Sequence, residues 1–545
     1  MAALAVLESL AARPLVRRLT DVFMGRYAAH RTAQLDHRSA VRTQHRTLLR
    51  LVRYARRTRF GQDHDFGGIR TIADYQRRVP LRTYETFWED YWSKPFPFLE
   101  DVTWPGMIPY FALSSGTTSD ATKYVPLSRQ MLASNQKAAL TTLSLFLSAH
   151  PGTPLFTGRL FFLGGSTDLR DLAANAAYPP PYPVLAGDLS GITVREASAL
   201  LRPFTFPPEQ LAFVKDWDEK IRLFAEQSVN LPITMLSGVP AWLLVLFDRL
   251  KQITGHERIA DIWPGLRLVI HGGTKFEPYR TLFQTLIGNP GVRFAETYPA
   301  SEGFIATEDP RHNLLRLLPD HSIFFEFVPC ADLDAKHPAR HTVAEVIPGV
   351  QYAIVLTTCA GLWSYVLGDT ICFEQRDPPL LRFTGRTRYF LSAFGEHLIS
   401  EEVEKAIASA AAASNIAVLD FHVGPVFPAA PGQPGRHRWF VEFTETICPD
   451  TLSRFAVALD AALGQFNEDY LAHREGNLVM LAPEVCPVPR GGFAEWMRSR
   501  GRLGGQNKVP RMDNSGQITD QLARFFRFPH SAIRFPHTLG LAESG

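Results

Sequence analysis

The sequence predicts an α/β protein with a large N-terminal domain, built on parallel sheets with a β-rich subdomain, and a smaller α+β C-terminal domain joined to it by a hinge. Three observations carry this prediction. First, 545 residues exceed one ordinary domain, so two or more packing units are expected. Second, short apolar runs between about residues 104 and 300 alternate with Gly or Ser turns and helical stretches, the pattern of parallel sheet. Third, the pattern changes to consecutive strands, then near Tyr389 to a strand, a helix and a hairpin. The domains are accordingly placed at 1–388 and 389–545.

The elements follow in order. Residues 1 to about 60 read helical, with apolar positions Leu4, Val6, Leu7 and Leu10, and later Leu48, Leu49, Leu51 and Val52. "TRFGQDHDFGGI" is a Gly-punctuated loop. "WPGMIPYFALSS" reads as a turn and a short strand, and "QMLASNQKAALTTLSLFLSAH" as a helix. "GRLFFLGG" is a buried strand ending in glycines, and "YPPPYPV" a stiff loop. "VPAWLLVLFDRLKQIT" is a helix with Pro240 at its start, where a missing N–H costs nothing. "LRLVIHGGTKFEPY" is a strand, a glycine turn and a helix, and "VRFAETYPASEG" is another strand running into a polar turn. "SIFFEFVPC" and "YAIVLTTCAGLWSYVLGDTICFEQ" are consecutive strands. "IAVLDFHV" and "RWFVEFTE" form a hairpin with a long Pro/Gly loop, and "TLSRFAVALDAALGQFNEDYLAHREG" is helical. No repeat of fixed period is present.

Composition narrows the function. Hydrophobic residues make up 46% and charged residues 20%, as in a globular protein. A net charge of +3 on this length argues for neither nucleic acid nor membrane as a partner. The basic clusters "RYARRTR" and "MRSRGR" read as local solvated faces. Five cysteines with no C-x-x-C pair fit free thiols in a reducing compartment, and the expected location is cytoplasmic. No apolar run reaches the ~18 to 20 residues of a membrane helix. The N-terminal "MAALAVLESLAARPLVRRL" is interrupted by Glu8 and its arginines come last, so an amphipathic first helix is expected rather than a signal peptide.

Four stretches carry candidate chemistry. "FALSSGTTSDATKYVPLS" gathers Ser114, Ser115, Thr117 and Thr118 around Gly116, with Lys123 beyond them. Such a loop is either a plain turn or a set of N–H and O–H donors for phosphate oxygens, to which Lys123 adds a charge. The G-x-x-x-x-G-K-[ST] pattern is absent. "ETYPASEG" places Thr297 and Tyr298 on a strand and Glu302 after a turn; Glu302 is either a surface or capping acid or a carboxylate for Mg²⁺. "SYVLGDTICF" offers Gly368-Asp369 as a turn between strands or as a carboxylate aimed at sugar hydroxyls. "GRTRYFLSAFGEHLISEEVE" and "GGQNKVPR" supply Arg386 and Lys508.

In this order, "SSGTTSDATK", "TYPASEG", "YVLGD", "GRTRYFLS" and "QNKVPR" resemble the acyl acid-amido synthetases of the auxin-responsive promoter family. That family belongs to the acyl-adenylate-forming superfamily, with acyl-CoA synthetases and firefly luciferase. The resemblance spans nearly the whole chain. It implies a ligase that uses ATP and Mg²⁺ to adenylate a carboxylic acid and passes the acyl group to an amine, usually of an amino acid. By motif it assigns Ser114, Ser115, Gly116, Thr117 and Thr118, with Lys123, to the phosphates. It assigns Thr297 and Tyr298 to AMP, Glu302 to the metal, Asp369 and Arg386 to the ribose, and Lys508 to the mobile domain, with a hinge near Arg388 to Ala393. "MLSGVPAWLLVLF" is implied as one wall of the acyl pocket, with Leu163, Gly164 and Val239 lining it.

The chain departs from the family at two places. Asp120 stands where the family loop has glycine, and a carboxylate beside phosphates costs energy unless it meets a cation. His397, in "LSAFGEH", stands where plant members carry a lysine, so its contact with AMP is in question. "GEHLISEEVE" is closer to the acyl-CoA synthetase pattern, which keeps transfer to CoA or a carrier thiol as an alternative. A non-catalytic nucleotide-binding relative is a second. An esterase, suggested by "HGGTK" at His271, is weak because no G-x-S-x-G elbow exists.

Overall fold

The computed structural model describes residues 13–528, apart from 116–121, 165–167, 175–182, 197–200, 215, 274–275, 277–278, 334, 388–389, 392, 395, 397, 428–433, 468–469, 472–473, 475–479 and 501–508. The described residues form two compact units. Those up to Thr387, Tyr279 excepted, make the first; Tyr279 and those after Thr387 make the second.

The described part of the first unit opens with two helices, α1 (Pro14–His37) and α2 (Ala40–Ala55). Pro14 starts α1 at a position where its missing N–H is not needed, and the Ser39 side chain caps α2 by accepting from the Arg42 amide. A one-turn helix, α3 (Tyr84–Phe87), is held by a capping box between Thr83 and Thr86.

A small sheet follows. Strands β1 (Tyr110–Ser115) and β2 (Thr122–Leu127) pair antiparallel, and β5 (Leu185–Gly187) joins β1 in parallel, with β4 (Arg170–Asp171) on its far side. Helix α4 (Arg129–Ala149) leaves β2, capped by Ser128.

The main sheet has eleven strands and two characters. One half is parallel: β6 (Thr205–Phe206), β3 (Arg159–Leu163), β7 (Ile233–Gly238), β8 (Leu268–Gly272) and β9 (Arg293–Ala300). Helix α5 (Trp217–Ser228) leads into β7, and α6 (Pro240–Thr254) leads out of it. Pro240 starts α6, as the sequence pattern anticipates, and Gly255 in the left-handed region ends it.

The other half is antiparallel. From β9 the order runs β10 (Gly303–Asp309), β11 (Leu314–Leu317), β15 (Leu380–Arg386), β14 (Tyr365–Gln375), β13 (Gln351–Thr358) and β12 (Ile323–Pro329). The chain turns back between β11 and β12, so β15 returns to pair with β11. The strand pattern expected for 322–375 is present. The alternative that Gly368-Asp369 forms a turn between strands is overturned, because both residues lie inside β14. Gly368 has a φ of +87°, which an L side chain rarely adopts, and bends the strand without ending it.

The second unit holds a three-stranded sheet in which Val418–Val426 pairs antiparallel with Arg436–Phe443, and Glu484–Val488 joins in parallel. Helices Ser400–Ser414 and Pro449–Phe466 pack on it around Val403, Trp439 and Leu459. All five cysteines are free. No helix of the described residues is long and apolar enough to cross a membrane.

Candidate functional site

In open α/β sheets, ligands bind beyond the carboxyl ends of the parallel strands. Here those ends bring together residues that are distant in sequence. Register pairs Leu163 with Gly238, Gly238 with His271, and Gly272 with Thr297. The loop-side ends of β3, β7, β8 and β9 therefore lie side by side.

Leu163 is buried there, Gly164 follows it, and Val239 caps α6 directly after β7. A Cβ on Gly164 would lie 3.0 Å from Ser190 Cβ, so the first turn of the helix Leu189–Arg195 passes closely over the strand end. Gly272 is tighter still. A Cβ there would sit 2.6 Å from the Thr297 carbonyl oxygen and 2.7 Å from its hydroxyl. Gly272→Ala is expected to push β8 and β9 apart and displace Thr297 and Tyr298. A displacement near 1 Å lowers activity about a hundredfold. Pyrophosphate release and a melting curve on the purified variant check this, with the rate falling much more than the stability.

Strand β9 and the hairpin after it carry the polar centre. The Tyr298 hydroxyl donates to Asp369 Oδ2 at 2.7 Å, and Arg386 Nε donates to Asp369 Oδ1 at 3.0 Å. Asp369 and Arg386 face each other across β14 and β15. The Tyr365 hydroxyl, from the start of β14, donates to Glu302 Oε1 at 3.1 Å. Glu302 also feels the charges of Asp369 and Arg386. The site thus joins Tyr298, Glu302, Tyr365, Asp369 and Arg386 from three strands and one turn.

The electrostatics follow from burial. Burial raises the pKa of Asp369, and the Arg386 charge and the Tyr298 hydrogen bond only partly offset it. Burial also raises Glu302, and the nearby Asp369 charge adds to that rise. Tyr298 and Tyr365 are held far above the ordinary phenol range, burial first and their carboxylate partners second. Two desolvated carboxyls beside one guanidinium leave the pocket with unmet demand for positive charge.

Thr297 and Tyr298 are already engaged. The Thr297 hydroxyl donates to the His271 carbonyl at 3.0 Å, and the Tyr298 ring stands edge-on to Phe383 at 5.3 Å. A contact from Thr297 to AMP as a donor requires exchange of that partner.

Lys123 lies on β2 opposite Ser114. Its ammonium pairs with Glu85 at 3.1 Å and sits 5.1 Å from the centre of the Tyr84 ring. Tyr84 in turn accepts the Tyr124 amide at 2.8 Å. Burial pushes the Glu85 carboxyl up, but its own backbone amide, Thr83 and Lys123 bring the pKa below the ordinary value. Glu85 and Tyr84 also act electrostatically on Tyr365, which links this corner to Glu302.

Glu85, Tyr84 and Tyr365 were not among the candidates from sequence. Nothing local in "RTYETF" marks its third and fourth residues, Tyr84 and Glu85, as partners of a lysine 38 positions beyond the glutamate. Tyr365 stands four residues before Asp369, inside a stretch already singled out. Of the remaining candidates, Gly116, Thr117, Thr118, Asp120, His397 and Lys508 lie outside the described residues, as do the side chains of Ser114 and Ser115. His271 is 2% exposed, stacked on Phe276 at 3.9 Å, and its pKa is pushed down to about 3 by burial and Arg280. A neutral, enclosed imidazole gives the esterase alternative no support.

Among the described residues no group of three or more His, Cys, Asp or Glu side chains is placed to hold a metal. Glu302 still fits Mg²⁺. That ion uses one or two carboxylates when phosphate oxygens supply the rest, and among the described residues Tyr365 is the side chain that donates to Glu302.

Comparison with known proteins agrees along the chain. Sequence models of the GH3 family match as its N-terminal domain at residues 30–168, its central domain at 316–386 and its C-terminal domain at 401–517. A jasmonoyl–L-amino acid synthetase, JAR4 of Nicotiana attenuata, is 23% identical over 87% of this chain and 91% of its own length. The indole-3-acetic acid-amido synthetase GH3.3 of Arabidopsis thaliana is 23% identical over 54% of this chain and 52% of its own. Among solved structures, the AtGH3.15 acyl acid amido synthetase in complex with 2,4-DB aligns with a TM-score of 0.72 at 16% identity, covering 91% of this chain and 95% of that one. A 2-hydroxyisobutyryl-CoA ligase in the postadenylation state aligns with a TM-score of 0.59 at 12% identity, covering 88% of this chain and 90% of that one. With all three of its domain models matched in order over more than half of the sequence, the chain belongs to the GH3 family.

Proposed function

We infer that this protein is an ATP-dependent acyl acid-amido synthetase. It adenylates a carboxylic acid and then transfers the acyl group to an amine, that of an amino acid. The observation that supports this best is the convergence of Glu302, Asp369, Arg386 and Tyr298 at the strand ends of a GH3-family chain.

A free carboxylate is a poor electrophile. In the first step its oxygen attacks the α-phosphorus of ATP and pyrophosphate leaves. In the second the amine attacks the acyl carbon, AMP leaves with the bonding pair, and the amine loses a proton. Charge builds on phosphate oxygens in the first step, and preorganised positive groups lower that barrier. Lys123 supplies such a charge at the start of β2, poised by Glu85 and Tyr84. Asp369 accepts from ribose hydroxyls, and Arg386 fixes its orientation. Mg²⁺, when bound at Glu302, neutralises phosphate charge. Leu163, Gly164 and Val239 belong to the wall for the acyl group, whose apolar lining suits an aromatic or aliphatic acid. Residues 1–388 act as the adenylation domain and 389–545 as the mobile one, with the cytoplasm as the proposed location.

Pyrophosphate release from ATP and Mg²⁺ across a panel of carboxylic acids tests the first step. Adding pooled amino acids or CoA separates amide from thioester formation. Lys123→Ala is expected to lower release about a hundredfold without loss of folding. A wild-type rate in that variant removes Lys123 from the site. Thioester as the sole stable product moves the protein to the alternative acceptor class.

A further inference from the structure

The first described helix carries apolar residues on both of its sides: Met24, Ala28 and Leu35 are buried, and others face outward. α1 buries Arg17 and Arg31 and exposes leucines. Arg17 donates to the carbonyls of Phe156, Gly158 and Pro203, and Arg31 grips Asp320 with both terminal nitrogens, so each inward charge is satisfied. The outward face carries Leu15, Leu19, Val22 and Phe23, exposed by 68%, 59%, 54% and 66%. Their spacing places them on one side of the helix over three turns, with Arg18 and Arg26 exposed on the same side. The one acid among them in sequence, Asp21, is turned away and accepts the amides of Leu155 and Phe156.

The N-terminal stretch of the sequence that contains this helix is basic. Residues 1–59 hold thirteen arginines, no lysine and three acids, Glu8, Asp21 and Asp36. That is a surplus of ten positive charges in a chain whose net charge is only +3. The whole-chain value therefore conceals a basic N-terminal region. α2 contains no acid at all, and Arg42, Arg46 and Arg53 on it are exposed.

We propose that the outer face of α1 is a docking surface for an anionic lipid bilayer, with Leu15, Leu19, Val22 and Phe23 entering the headgroup boundary and Arg18 and Arg26 meeting lipid charges. Apolar side chains interleaved with arginines suit an interfacial helix. A second copy of the chain is disfavoured, since a two-fold contact through this face sets arginines against arginines with no acid between them. A nucleic acid satisfies the arginines but leaves four apolar side chains without a role.

The test is co-sedimentation of the full-length protein with vesicles of phosphatidylcholine alone, or of phosphatidylcholine mixed with phosphatidylserine. Binding is expected only to the mixed vesicles and is expected to weaken as salt rises. Leu19→Gln with Phe23→Gln should lower the bound fraction about fivefold or more. Arg18→Gln with Arg26→Gln should lower it and flatten its salt dependence. Both double variants should keep the wild-type melting temperature. Four results overturn the proposal: no binding to mixed vesicles at low salt; undiminished binding by the Leu19, Phe23 variant; retention on RNA or DNA without vesicle binding; or a wild-type dimer or melting temperature that the Leu19, Phe23 variant loses, which assigns the face to a second copy or to the chain itself.

Discussion

Glu302→Gln is expected to lower adenylation about a hundred- to a thousandfold while leaving the melting temperature unchanged or higher. The two halves of this result have one cause. Burial and the neighbouring Asp369 charge raise the Glu302 pKa, so at neutral pH its carboxylate is held where the fold would prefer a neutral group. Glutamine keeps the size and the contact with Tyr365 and removes the charge. The sign with pH follows. Below the unfolded pKa the group is protonated in both states and has no effect. The cost builds between the unfolded and the raised folded value, and is complete above the folded one. The stability gain of Glu302→Gln should therefore fade on acidification. Activity runs the other way, because a proton competes with a metal ion for the same oxygens. Wild-type dependence on Mg²⁺ should steepen as pH falls toward the raised pKa. Melting curves across pH and pyrophosphate release at varied Mg²⁺ check both. An active Glu302→Gln variant removes this carboxylate from the site.

Asp320→Ala should unfold the first unit far more readily, with a loss of about 3–5 kcal/mol. Asp320 receives Arg31 at 2.7 and 2.8 Å and the Lys137 ammonium at 3.0 Å. The side chains of Arg31 and Asp320 are 3% and 7% exposed, so removal of the acid strands a guanidinium away from water. Among the described residues Arg31 then keeps Thr141 and His321 as side-chain partners, neither of them an acid. Burial opposes the Asp320 charge, yet hydrogen bonds and charges from Arg31 and Lys137 hold its pKa well below the usual carboxylate range. A depressed carboxyl contributes stability that is complete above the unfolded pKa and disappears only as pH falls through the folded one. The gap between wild type and Asp320→Ala should thus be full at neutral pH and close in strong acid. Chemical denaturation followed at both pH values measures it. Adenylation at low temperature should survive, since none of these groups touches the site.

Elements whose boundaries rest on local chemistry were legible in advance. Pro240 marks a helix start because its missing N–H is not needed there, and the turns after β8 and β9 end strands. Asp369 was legible as a candidate, but its position inside β14 was not, because Gly-Asp reads equally as a turn until a partner strand is known. Glu85 was invisible for a related reason: its meaning depends on Lys123, and the sheet rather than the sequence makes them neighbours. The sharpest failure of periodicity is α1. Apolar residues lie on both of its sides, so spacing alone does not pick the buried one: Met24, Ala28 and Leu35 pack inward beside Arg17 and Arg31, which distant carbonyls and Asp320 receive, and Leu15, Leu19 and Val22 face outward.

The return of β15 to β11 has a consequence for synthesis on the ribosome. Register joins Leu315 to Leu381, and Asp369 to Arg386. Until residue 386 has emerged, β11 and β14 each present an unpaired edge, and the carboxylates of the site have no guanidinium beside them. A nascent or truncated chain that stops within β14 carries most of the first unit's apolar strands with two open edges. Such edges recruit other chains. Nascent chains are therefore most exposed to self-association during the brief window before β15 closes the sheet, and a stop codon placed between β14 and β15 should yield insoluble protein although only the last strand of that sheet is missing.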